Sequence, residues 1–388
     1  MIIKKSSLDT FLIMLVMFVV VLPILIAKKL LLLAIFVLFI RIFISEDFFL
    51  HLQKKIIIVI LLMPGITGAI LMAPEHLIRF SGILMIVIGF PFSTFKIKNT
   101  SILILSSLII FYLSITQILL LQGNQLIINF REFAYNFEGI DAHKNYGTTD
   151  NIFRNAFDFS YQKIRGGGLY SNPNTLAAIS LFYFFIYDIT WKNFNQIVNR
   201  NLKKWEIFFN SLVFIATLNV LMQSKSKTFI IGFVIYLIAS NFDLVSFVKL
   251  KFKKNFFILF LIVFGILFLL LDKIILSFLQ GGGSGNVKYT ILFDYLENAS
   301  IFNLLFGGTY NVWFDTEYGY WIGATGFFGL VAFFVIYRIF YNFSVKTRPL
   351  LITFLFTSIG SSLFYSLLHV SILIPLFIIL LSTAKRIN

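Results

Sequence analysis

Long apolar runs alternate with short polar segments along almost the whole chain. The runs are about 18–20 residues long, the length that an α-helix needs to cross the hydrocarbon core of a bilayer. We predict twelve membrane-spanning helices, near residues 8–27, 30–45, 56–73, 77–95, 101–121, 172–190, 207–222, 228–247, 256–271, 317–340, 349–366 and 370–384. An even number of spans places both termini on one side of the membrane.

Two polar segments are longer than the other connections, and they cover residues 122–171 and 272–316. Five spans precede the first segment in residues 1–121, four lie between the segments in 172–271, and three follow in 317–388. The pattern therefore predicts an all-α, polytopic membrane protein with two long loops.

The composition supports a membrane protein, because 59% of the residues are hydrophobic and only 13% are charged, whereas soluble domains carry roughly 25% charged residues. The chain has no cysteine, which excludes disulfides and thiolate metal sites. The histidines are scattered without the spacing of metal ligands: His51, His76, His143 and His369. We expect no bound metal and no cofactor.

The net charge of +15 is distributed unevenly between the two sides of the predicted membrane. The side of the termini carries 20 of the 32 Lys and Arg residues but six of the 17 Asp and Glu residues. Basic residues are enriched in cytoplasmic loops, so we predict cytoplasmic termini and two extracytoplasmic long loops. This charge is expected to bind anionic lipid headgroups rather than nucleic acid.

The middles of the predicted spans contain almost no ionisable residue. Ion-coupled transporters use such residues near the membrane midplane. The pattern therefore argues against a pump, although it is compatible with a channel or a lipid translocator.

The end of the first long loop has the most specific pattern of the chain. Arg165 is followed by Gly166–Gly168, and Asn172 and Pro173 then begin a predicted helix. Glycines allow close backbone approach, Asn and Pro suit the start of a helix, and a helix N-terminus beside an arginine favours an anion. In the alternative interpretation the glycines form only a tight turn and Arg165 contacts lipid headgroups.

This pattern resembles the O-antigen ligases and the O-antigen or capsular polysaccharide polymerases, in which an arginine, a glycine, an aromatic residue and Asn-Pro-Asn enter a membrane helix. The matching residues are Arg165, Gly168, Tyr170, Asn172, Pro173, Asn174 and Ala177. The resemblance implies a GT-C-like membrane glycosyltransferase architecture and a site on the extracytoplasmic face.

Two further segments are similar to elements of the same family. Residues 224–228 stand where the family has a Ser-Arg pair, and Lys227 keeps the charge of that arginine but not its bidentate fork. The alternative is a solvated turn with two lysines. In the second loop, Lys288 lies near the position of a family arginine, and residues 305–309 resemble a Leu-Phe-Gly-x-Gly element. Ligases usually have a histidine where Asp315 lies, which favours a polymerase.

The resemblance implies glycosyl transfer from an undecaprenyl-pyrophosphate-linked oligosaccharide at the bacterial cytoplasmic (inner) membrane. Departure of the pyrophosphate develops negative charge, which positive side chains stabilise. The residues expected to bind it are Arg165, Lys227, Lys288, Asn172 and Asn174. The implied partners are a lipid-linked donor and acceptor, membrane lipids, a chain-length regulator and a flippase.

A carboxylate is expected to accept the proton of the attacking sugar hydroxyl. Asp315 is the first candidate and Glu317 the second, because both precede a predicted span and face outward. The alternative is that both residues only end the loop. Three other functions stay open: a ligase that uses another acceptor, a flippase or transporter of lipid-linked glycans, and a multispan scaffold.

Overall fold

The computed structural model describes residues 5–22, 30, 33–38, 40–41, 52–72, 95–129, 173–198, 204–224, 226–241, 284–308, 317–343, 348–360, 373–379 and 382. The regular structure within these ranges is helical, so the predicted all-α class is confirmed for this part of the chain. The principal helices are α1 (Lys5–Val21), α2 (Leu52–Met72), α3 (Asn99–Leu121), α4 (Pro173–Val198), α5 (Lys204–Ser224), α6 (Lys227–Asn241), α7 (Ser284–Asn298), α8 (Ile301–Phe306), α9 (Glu317–Phe343) and α10 (Arg348–Gly360).

By length and composition, three of the described helical segments could cross a membrane: α3, α5 and the first 22 residues of α9. Shorter apolar helices lie within α1, α2, α6 and α10. The predicted spans near 77–95 and 256–271 lie outside the described residues, apart from Phe95. The number of twelve spans therefore stays a prediction.

Helix α4 forms the centre of the described bundle. Every residue from Leu176 to Tyr187 is buried, and the helix packs against α3, α5 and α6. Its Tyr183 hydroxyl donates a hydrogen bond to the carbonyl of Met17 in α1. A helix that is covered on all sides belongs to the interior of a large bundle, so α4 fixes the positions of its neighbours.

Several polar side chains inside this bundle bond within their own helix or to a neighbouring one. The Thr116 hydroxyl donates to the carbonyl of Tyr112 at 2.8 Å, and the Asn219 amide donates to the Ser114 hydroxyl at 2.9 Å. Both types of bond keep polar groups paired where no bulk water reaches them. The second bond also ties α3 to α5.

Helix α9 reverses its direction at Gly326, where the backbone has φ 66° and ψ −168°. The rings of Trp321 and Phe333 lie 5.3 Å apart, and those of Tyr318 and Phe334 lie 6.1 Å apart. In a straight helix twelve residues span about 18 Å, so these contacts require two antiparallel arms. The segment predicted to span the membrane over 317–340 is therefore helical, as expected, but it is divided into two arms at Gly326.

Close backbone contact explains the glycines at this reversal. A Cβ on Gly326 would overlap the carbonyl of Leu305, and a Cβ on Gly307 would overlap the backbone of Ala324. Gly307 has φ 76°, a conformation that other residues rarely adopt. The Gly308 N–H also donates to the Ala324 carbonyl at 3.2 Å. The Leu-Phe-Gly segment of the second loop thus packs directly on the bend of α9.

Candidate functional site

The first two sequence motifs meet at one end of the bundle. The Ser226 hydroxyl donates a hydrogen bond of 2.8 Å to the side-chain oxygen of Asn174. Asn174 belongs to the first turn of α4, and Ser226 immediately precedes α6. Ser226 is only 3% exposed, whereas Asn174 is partly exposed, so this bond is partly buried. We call the place where these two helices begin the motif end.

Helices α4 and α6 run in the same direction from the motif end. Farther along both helices, the Tyr236 hydroxyl donates to the Asp188 carboxylate at 2.7 Å, and the rings of Phe185 and Tyr236 lie 4.3 Å apart. Both N-termini therefore point towards the same end of the bundle. The partial positive charges of two helix N-termini favour an anion there.

Lys227 adds a full positive charge to the motif end. It is the first residue of α6 and its side chain is exposed. No acidic side chain within the described ranges forms a salt bridge with it. A cation beside two helix N-termini, with no carboxylate paired to it among the residues that the structure describes, suits an anionic ligand such as a phosphate.

The structure brings together two of the five predicted pyrophosphate-binding residues, Asn174 and Lys227, through the neighbouring Ser226. Lys288 lies on α7, but its side chain is outside the described part. Arg165 and Asn172 lie outside the described residues, and so does the carboxylate candidate Asp315.

The second carboxylate candidate, Glu317, is buried rather than outward-facing, which corrects that part of the prediction. Its side chain is 0% exposed, and its carboxylate accepts a hydrogen bond of 2.7 Å from the indole N–H of Trp321. Both residues lie on the first arm of α9. A carboxylate inside an apolar bundle is costly unless it is paired, and this bond contributes to the pairing.

Contacts with α10 connect the start of α9 to a helix of the motif end. The hydroxyl of Tyr318 donates to the Leu355 carbonyl at 3.0 Å. Two residues farther along α10, the Thr357 side chain lies against Gly232 of α6. Gly232 is six residues, or about 9 Å of helix, from Ser226. The start of α9 therefore packs on α10, which in turn packs on α6.

A second polar cluster, which the sequence did not predict, lies at the opposite end of α3. The Asp9 carboxylate, which is 0% exposed, accepts bonds from Arg41 at 2.8 and 3.2 Å and from the backbone N–H of Lys96 at 3.1 Å. We call this the aspartate cluster. A lone Asp near the start of an apolar helix was the available signal, because such a charge requires a partner.

The described residues contain no group of three or more His, Asp or Glu side chains arranged to hold a metal ion. No protein-family model matches the chain, and no curated protein matches it significantly. The resemblance to the O-antigen ligases and polymerases therefore stays a prediction from the sequence motifs.

Proposed function

We propose that this protein is an extracytoplasmic glycosyltransferase that polymerises undecaprenyl-pyrophosphate-linked repeat units into an O-antigen, capsular or exopolysaccharide. The observation that supports this best is the hydrogen bond between Ser226 and Asn174. It joins the two motifs that resemble this enzyme family, and it leaves the cation of Lys227 exposed beside them.

The proposed topology has twelve spans in a bacterial cytoplasmic membrane, with both termini cytoplasmic. Two contacts support the alternation of the spans. Asp9, Arg41 and Lys96 are predicted on the cytoplasmic side, and both Arg41 and the Lys96 backbone bond to Asp9. Asn174 and Ser226 are predicted on the opposite side and bond to each other. If one span too many or too few were predicted between Asp9 and Lys96, or between Asn174 and Ser226, the two residues would lie on opposite sides of the membrane and could not touch.

In the proposed reaction, an acceptor sugar hydroxyl attacks the anomeric carbon of the donor glycan. The new C–O bond forms as the bond between that carbon and the pyrophosphate oxygen breaks, and the electron pair leaves with the lipid pyrophosphate. Lys227, Arg165 and Lys288 would stabilise the departing charge. One such electrostatic contact is worth about 10²–10³ in rate.

The proton of the attacking hydroxyl goes to a carboxylate in this scheme. Asp315 stays the first candidate, because it precedes α9 by two residues. Glu317 is the second, and its burial and its bond to Trp321 fit a role as base only if the acceptor hydroxyl enters the bundle.

The direct test is incubation of the purified protein with a defined undecaprenyl-pyrophosphate oligosaccharide, followed by separation of the products by size. We expect a ladder of repeat lengths on lipid pyrophosphate, and Arg165→Ala should abolish it while the protein still folds. A single transfer to another acceptor would identify a ligase instead. Movement of the donor across vesicles with no new glycosidic bond would overturn the proposal in favour of a flippase.

A further inference from the structure

Two glutamine side chains on α3 and α5 have buried polar atoms without hydrogen-bond partners among the described residues. Gln117 is 0% exposed, and neither its Nε2 nor its Oε1 has a hydrogen-bond partner among the described residues. The Oε1 of Gln223 is also buried and unpaired within that part of the chain. A buried polar group without a hydrogen bond is unfavourable, so three such atoms in one region require an explanation.

The helix contacts place these glutamines side by side. Helices α3 and α5 run in the same direction, since Phe111 contacts Phe209 and, farther along both helices, Ser114 bonds to Asn219. Gln117 follows Ser114 by about one turn. Gln223 follows Asn219 by one turn and donates to its side-chain oxygen at 2.7 Å. Residues three or four apart share a helix face. Gln117 and Gln223 therefore lie one turn beyond the Ser114–Asn219 bond, on the faces of α3 and α5 that meet there.

The glutamines also lie next to the motif end. Gln223 is three residues before Ser226, which bonds to Asn174. The unpaired atoms are two carbonyl oxygens and one amide group. A complementary ligand must therefore supply at least two donors and one acceptor.

We infer that Gln117 and Gln223 form a binding site for hydroxyl groups inside the bundle, just below the motif end. One buried water molecule carries the required donors and acceptor, and so do two neighbouring hydroxyls of a sugar. Buried waters typically make about three hydrogen bonds to groups that are otherwise unsatisfied. The inference does not depend on glycosyl transfer, because it rests on the α3–α5 contact alone.

Thermal unfolding of the purified full-length protein in detergent tests the site. Gln117→Met keeps the length and volume of the side chain but removes its polar atoms. If a shared hydroxyl group is bound, this change leaves that group and Gln223 poorly paired, and the Tm falls by about 2–4 °C. If the amide has no ligand, removing an unpaired buried group raises the Tm, and that result would overturn the inference.

A double-mutant cycle tests whether the two glutamines share the ligand. The double variant with Gln117→Met and Gln223→Met should lower the Tm by clearly less than the sum of the single changes, because neighbours with a common partner are coupled. Additive effects would contradict a shared site. Gln122→Met is the matched control, because Gln122 is exposed at the end of α3, and its Tm should not change. Gln117→Asn replaces Gln117→Met in the cycle if the latter does not fold.

Glucose distinguishes the two sources of the hydroxyl groups. A rise in the Tm of the wild type on addition of glucose, absent in Gln117→Met, would show that a sugar supplies them. Coupling between the glutamines without any effect of glucose would identify buried water.

Discussion

The two polar clusters of this bundle differ in how their charges are neutralised. In the aspartate cluster, Asp9 is fully buried and bonds to both Arg41 and a backbone N–H. At the motif end, the partly buried contact is a neutral hydrogen bond between Ser226 and Asn174. The cation there, Lys227, is exposed and has no acidic partner within the described residues.

This difference separates a structural cluster from a candidate binding site. A bidentate Arg–carboxylate pair satisfies both ions, so the aspartate cluster has little capacity left for a ligand. It joins α1, Arg41 and the segment before α3. The motif end differs, because the neutral bond between Ser226 and Asn174 joins α4 and α6 while the charge of Lys227 stays available to a ligand. Substitutions at the two ends should therefore change different properties.

The largest effect is expected at the aspartate cluster. Arg41→Ala leaves the Asp9 carboxylate buried without its ion partner, which costs about 3–5 kcal/mol of stability. The Tm in detergent measures this loss. Arg338→Ala is the matched control, since Arg338 is exposed on α9 and its removal should leave the Tm unchanged. Equal losses for the two variants would show that the buried pair does not stabilise the bundle.

A pair of lysines at opposite ends of the bundle tests the motif end. Lys227 and Lys204 are the first residues of α6 and α5, and both are exposed. Lys227→Gln should lower the rate of chain extension by about 10²-fold, because it removes a cation beside the departing pyrophosphate. Lys204→Gln should leave the rate unchanged, and neither variant should lose stability. Equal rates for the two variants would remove Lys227 from the proposed site.

The pattern of apolar and polar residues predicted most helices, because each apolar run buries its own side chains and pairs its own backbone groups within one helix. Helices α3 and α5 begin and end within a few residues of the predicted spans, whereas α4 begins as predicted but continues eight residues farther, to Val198. The reversal of α9 was not predictable, since Gly326 lies within a continuous apolar run. Only the contact of that residue with Leu305, twenty-one positions earlier, reveals the bend. The spacing of glycines within residues 317–340 does not indicate that a distant segment such as Leu305 packs against Gly326.

The candidate site was predictable to a similar extent. Motif resemblance identified Asn174 and Lys227, and the alternation of spans predicted that both lie at one end. The bond from Ser226 that joins them depends on the packing of α4 against α6, which no motif encodes. The burial of Glu317 was missed for the same reason, because it follows from the fold of α9 against itself and α10.

The smallest effect is expected from the neutral hydrogen bond between Ser226 and Asn174 at the motif end. Ser226→Ala removes the donor to Asn174, and a bond of this kind contributes about 0.5–1.5 kcal/mol. We expect a modest fall in Tm and a loss of chain extension well below that of Lys227→Gln, because the cation remains. Ser240→Ala is the control, since Ser240 bonds only weakly within α6, to the Leu237 carbonyl at 3.3 Å.

A double-mutant cycle completes this last test. If the Ser226 hydroxyl acts through Asn174, adding Ser226→Ala to Asn174→Ala should cause no further loss of Tm or chain extension, because neighbours in one hydrogen bond are not additive. An additional loss would mean that Ser226 acts elsewhere, on the ligand for example. The motif end would then bind its anion through the Ser226 hydroxyl as well as the Lys227 cation. It would differ from the aspartate cluster, whose groups are paired with one another, in having two groups available to a ligand.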